Sequence, residues 1–130
     1  MSTDAAAPAR PLTASERNLL HLILSKEFDS VGDLRAQADR VLAYSSCLCG
    51  CGSIGFEHPN GFRPGPAGVT PKTRVALDPI VSNQDGQEIG GLILFLRDGL
   101  LDDLEVYSYG SDPLPLPQVE RVRFVEDDHQ

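Results

Sequence analysis

The dipeptide Asp98-Gly99, set between two long apolar runs, constrains this chain more than any other feature. A two-residue hairpin loop of type I′ needs positive φ at both positions, and Asp-Gly is one of the few pairs that supply it. The spacing predicts a strand over 88–97 and a returning one over 100–109. Leu92, Leu94 and Leu96 share one face of the first strand, with Ile93 and Phe95 on the other, while Leu104 and Val106 point inward from the second. Asp102 and Asp103 interrupt that alternation, which predicts a bulge. A further strand is expected over 74–82, joined to the first through the turn Asn83-Gln84-Asp85-Gly86 with Gly86 at positive φ.

Upstream the period is helical. Thr13 and Glu16 form a capping box, and Leu19, Leu20, Ile23, Leu24 and Phe28 recur at the spacing of a helix of about four turns. Ser30 and Asp33 repeat the cap logic before a second stripe of Val31, Leu34, Ala38, Val41 and Leu42. At Tyr44 the period changes, and Cys47 to Phe56 reads as a glycine-interrupted strand. Residues 57–73 hold four prolines and three glycines, the composition of a loop long enough to serve binding. Asp112-Pro113-Leu114-Pro115-Leu116-Pro117 should run extended over the surface, followed by a short edge strand over 121–125. Helices first and strands after them predict an α+β domain, with an N-terminal pair of helices packed on one face of a roughly four-stranded antiparallel meander. At 130 residues one domain is expected, over 12–125, between a flexible arm at 1–11 and an acidic tail at 126–130.

Charge is unevenly placed. The formal net charge is −8, and residues 98–130 hold nine acids against Arg121 and Arg123 alone, which is −7. So few bases argue against a nucleic-acid partner. Asp98, Asp102, Asp103 and Glu105 crowd the hairpin and read either as a docking face for a basic protein or as a solvated edge that keeps strands from pairing between molecules. The spaced carboxylates of a calcium loop are missing. In the Pro-rich loop, Asn60-Gly61-Phe62-Arg63 offers an aromatic and an arginine, the residue types of binding hot spots, with Phe62 folded onto the core as the alternative. No signal peptide or membrane span is legible, since the apolar run at 19–24 is short and broken by His21. A cytoplasmic, reduced protein is the expectation.

Cys47, Cys49 and Cys51 share one face if the segment is extended, and His58 follows closely. Together they make a Cys3His set suited to zinc, and the thiolates alone would suit copper(I). In a true strand the outer two Cα atoms lie about 13 Å apart, whereas thiolates on one metal converge to about 4 Å. Sharing a metal therefore requires the chain to curl at Gly50 and Gly52. The plainer reading is three small apolar side chains in a core, and no cofactor. His21 and His129 read as surface residues. No nucleophile elbow, phosphate loop or dinucleotide fingerprint is present, so the sequence points away from an enzyme.

Cys49-Gly50-Cys51-Gly52-Ser53-Ile54 after two helices, Arg97-Asp98-Gly99 closing a strand, and Leu104-Glu105-Val106-Tyr107 before a Pro-rich exit form a recognisable set. The chain thereby resembles small uncharacterised bacterial proteins of actinobacterial type, with a C-G-C-x-S-I segment and an L-E-V-x-Y strand (here L-E-V-Y-S-Y). The last strand is also similar to strands in small immunity-type proteins of bacterial toxin systems. That resemblance implies a fold and no activity. The sequence thus leads to a non-catalytic interaction module, immunity-like in one form, that binds a basic partner through its acidic C-terminal face. A thiolate metal or redox protein centred on the three cysteines and His58 is the alternative, and a structural homodimer paired through 121–125 a third.

Overall fold

A computed structural model describes residues 8–45, 52–64, 71–75 and 77–124. The order of elements is α1 (Ala14–Ile23), α2 (Val31–Ala38), β1 (Leu42–Ser45), β2 (Ile54–Glu57), β3 (Thr73–Arg74), β4 (Pro79–Ser82), β5 (Glu88–Arg97), β6 (Leu100–Ser108) and β7 (Val122–Phe124). The architecture is α+β, with two helices and one antiparallel sheet. The sheet has seven strands rather than four, in the order β1-β2-β6-β5-β4-β7, with β3 also pairing β5. The undercount has a local cause. Val41 and Leu42 fit the helical stripe of α2, but that helix ends at Ala38 and Leu42 opens β1. The single strand expected over 74–82 is divided into β3 and β4, because Leu77 N–H turns back onto the Val75 carbonyl and Pro79 has no N–H to donate.

The capping box at α1 forms as read: Glu16 N–H donates to Thr13 Oγ1 and Thr13 N–H to the Glu16 carboxylate. The second cap does not. Ser30 sits at the start of α2 with φ of 70° and makes no side-chain cap. Instead, Arg35 Nε on α2 donates to the Leu24 carbonyl at the end of α1 (2.7 Å), which ties the two helices together. α1 is ten residues long, a turn shorter than the apolar spacing suggested. No helix among the described residues is long and apolar enough to cross a membrane.

The β5–β6 hairpin is the centre of the sheet. Asp98 (φ 55°) and Gly99 (φ 77°) both lie in the left-handed region, as a type I′ turn demands. The expected bulge is present: Phe95 faces Asp103 and Leu96 faces Leu101, so Asp102 is the extra residue. Its insertion moves both Leu101 and Leu104 onto the helix side, where they join Leu92, Leu94, Ile54, Phe56 and the helical leucines in one core. Pairing between β2 and β6 stops at Gly55 opposite Asp103. Beyond that point Leu101 N–H donates to Gln37 Oε1 of α2 (2.9 Å), and its carbonyl accepts from His58 Nε2 (2.8 Å). Gln37 Nε2 also reaches the Gly99 carbonyl (3.0 Å), so one side chain clamps the hairpin to the helix layer.

At the sheet edge, Arg10 exchanges backbone hydrogen bonds with Ala43 and forms a two-pronged ion pair with Glu16 (both 2.7 Å). The chain is therefore already engaged within the segment expected to be a loose arm. The proline-rich exit crosses the core side of the sheet, where Leu114 and Leu116 pack on the core and the Leu114 carbonyl accepts from Gly52 N–H (2.8 Å). It leads into β7, which pairs with β4.

Two cross-strand pairs on the opposite face share one design. Tyr44 faces Gly55, and Tyr107 faces Gly91. In each the tyrosine ring lies over the glycine so closely that an added Cβ would overlap it. The ring shields a stretch of backbone that glycine leaves bare. Gly91→Ala is accordingly expected to lift Tyr107 off the sheet and cost about 1–3 kcal/mol, the usual penalty of overpacking. Denaturant unfolding, read alongside tyrosine fluorescence, checks it.

Candidate functional site

Strand alternation sorts the side chains of this sheet onto two faces. The helices pack on the core face. The other face carries Leu42 and Tyr44 from β1, Gly55 and Glu57 from β2, Asp103, Glu105 and Tyr107 from β6, Ile93 and Phe95 from β5, and Ile80 from β4. Most of these side chains remain half-buried, and Tyr107 and Tyr109 are exposed at 40% and 56%. Their rings lie 6.1 Å apart, tilted by 44°.

A polar row crosses this face. The Arg63 guanidinium stands over the Tyr44 ring (3.9 Å to its centre) and pairs with Glu57 (2.8 Å). Next comes Gly55, which has no side chain, and then its partner Asp103. Beyond Asp103 lies Phe95, with the Lys72 ammonium over its ring at 4.2 Å. Lys72 also serves two carboxylates of β6, Glu105 at 3.3 Å and Asp103 at a longer 3.7 Å. Each ring is therefore topped by a cation, an arrangement worth about 0.5–1 kcal/mol per pair at exposed sites.

Asp103 is the anomaly. Its Oδ1 is fully buried and has no hydrogen-bond partner among the described residues. Burial is the main force on its carboxyl. Lys72 and Arg97 oppose it, the like charges of Asp102 and Glu105 add to it, and the pKa is pushed up to about 6. Glu16 shows the opposite environment: Arg10 beside it, aided by Thr13, holds its carboxyl below the ordinary value.

The residues singled out in the sequence land in different places. Asp103, Glu105 and Arg63 come together on the open face. Asp102 does not belong to a docking surface: as the bulge residue it is only 3% exposed and bonded to Arg97 Nε at 3.1 Å. Asp98 is exposed at the hairpin tip. Phe62 is also exposed, at the tight Asn60-Gly61 turn, and does not fold onto the core. His58 is buried, with Nε2 donating a hydrogen bond to the Leu101 carbonyl of β6. Cys47, Cys49 and Cys51 lie outside the described residues, between the paired strands β1 and β2. No cluster of metal-ligating side chains occurs among the described residues. The sequence reading missed Tyr44, Glu57 and Lys72, which reach the site only through strand register. No family model, curated protein or solved structure matches the chain.

Two consequences follow for stability. Arg97→Met leaves the buried Asp102 carboxylate unpaired and should cost about 3 kcal/mol, measured by urea unfolding. Asp103 acts in the reverse sense. Its folded pKa lies above the unfolded value, so its charge destabilises the fold at neutral pH, and stability rises as pH falls through about 6. Asp103→Asn should thus stabilise the protein at neutral pH by on the order of 2 kcal/mol and flatten that rise. Below the ordinary carboxylate range the trend reverses, because Glu16 is protonated and its pairing with Arg10 is lost. Unfolding midpoints across pH for both proteins read the two effects separately.

Proposed function

We propose that the chain is a non-catalytic, cytoplasmic interaction module that receives a basic protein on the open face of its sheet. An immunity-type neutraliser of a cationic toxin would present such a face. The observation that carries the reading is the unequal charge of the polar row. Asp102 pairs with Arg97 and Glu57 with Arg63, while among the described residues the ion pairs of Asp103 and Glu105 both run to Lys72. Among the described residues these ion pairs join four carboxylates, Glu57, Asp102, Asp103 and Glu105, to three cations, Arg63, Arg97 and Lys72.

The exposed ledge of Tyr107 and Tyr109 lies on the same face, and tyrosine is a preferred anchor residue in interfaces because it buries a large area with little rotamer entropy. A partner's arginine can stack on these rings while a second basic side chain supplies the missing charge. The acidic C-terminal quarter thus acts through this face rather than through the hairpin tip. The buried Asp102 contributes by setting the register that puts Asp103 there.

An arginine-rich peptide serves as a probe, titrated by calorimetry at low salt. Wild-type protein should bind it, Glu105→Lys and Tyr107→Ala should each weaken binding about tenfold or more, equivalent to about 1.4 kcal/mol, and Asp85→Lys, in a remote turn, should not. Equal losses at Asp85 and Glu105 would mean that only the overall negative charge attracts the peptide, and the reading fails.

A further inference from the structure

Among the described residues, the groups around Asp103 can be named. On its own strand stand Asp102 and Glu105. Across from it on β5 is Phe95, with Arg97 further along. On β2 its neighbour is Gly55, followed by Glu57, and on β1 the Tyr44 ring lies over Gly55, topped by Arg63. Lys72, just ahead of β3, closes the site from above. Once Asp102 with Arg97 and Glu57 with Arg63 are taken as matched pairs, the residue is Asp103, Glu105 and Lys72, a net charge of −1. One proton on Asp103 makes that charge zero. It also removes the charge from a carboxyl group whose buried Oδ1 has no hydrogen-bond partner among the described residues.

We propose, building on the interaction module described above, that binding at this face is proton-competitive: a proton on Asp103 and a guanidinium or ammonium group of the basic partner are alternative ways of neutralising the same carboxylate, so acidification releases the partner. The exchange is balanced. The carboxylate takes up one proton as the cationic side chain leaves, and takes no other reactant. Lys72 does not compete on equal terms. It lies 3.7 Å from Asp103, beyond hydrogen-bond distance, while standing closer to Glu105 at 3.3 Å.

The test uses the whole chain and the same arginine-rich peptide, at one ionic strength. A carboxyl that titrates near 6 is about one-tenth ionised at about pH 5, so the peptide should bind roughly tenfold more weakly there than at about pH 7.5. Asp103→Asn should bind weakly and equally at both pH values, and carbon-detected NMR of the wild type should show the Asp103 carboxyl titrating over the interval in which binding is lost. Equal wild-type affinity at the two pH values overturns the proton competition alone. So does a pH dependence that survives in Asp103→Asn, since it would belong to a histidine. No binding by the wild type at about pH 7.5 overturns the interaction module itself, and this inference with it.

Discussion

The register break at Asp102 governs much of what the rest of the molecule does. One extra residue on β6 carries Leu101 to the core side and leaves its backbone groups beyond the end of the β2 pairing. Buried N–H and C=O groups must find partners. Here they find Gln37 from the helix layer and His58 from the end of β2. The bulge thereby fixes α2 against the hairpin, anchors the start of the Pro-rich loop, and sets Asp102 against Arg97 while Asp103 stands opposite Phe95. Bulges often re-aim side chains, and this one gives two adjacent aspartates different surroundings: Asp102 is bonded to Arg97, while Asp103 has a buried oxygen with no hydrogen-bond partner among the described residues.

The outer face is held together by shape as much as by charge. Glycines at 55 and 91 are needed because a tyrosine lies over each from the neighbouring strand. One of these rings, Tyr44, supports Arg63, and the other belongs to the exposed ledge. A sheet covered by helices on one side only normally turns polar residues to water on the other. This one places aromatic rings and half-buried carboxylates there instead. The desolvation of Asp103 is thereby part of the folded state.

Local signals account for what was legible. The type I′ turn at Asp98-Gly99, the bulge beside it, the bounds of β5 and the capping box at Thr13 each rest on residues within a few positions of one another, and each formed as read. Where neighbours could not decide, the reading failed. Val41 and Leu42 fit a helical stripe equally well, but the helix stops at Ala38 and Leu42 became strand because β1 pairs with β2 and with Arg10. Ser30 has the chemistry of a helix cap but adopts a positive φ that denies it the role. Asp103, Glu105 and Arg63 were visible as candidates, yet as members of two separate features, an acidic hairpin and a loop tip.

The sequence by itself determined the class of fold, the hairpin at its centre and the excess of acid in the final quarter, since turn chemistry, hydrophobic period and composition are properties of short stretches. Only the tertiary structure decided which acids are paired and which are buried. Lys72 meets Glu105 across 33 positions of chain, Tyr44 meets Gly55 through strand register, and Asp102 and Asp103 differ by a single residue of bulge. Whether a carboxylate is paired, buried or left one partner short depends on what the fold brings beside it, and no local pattern records that.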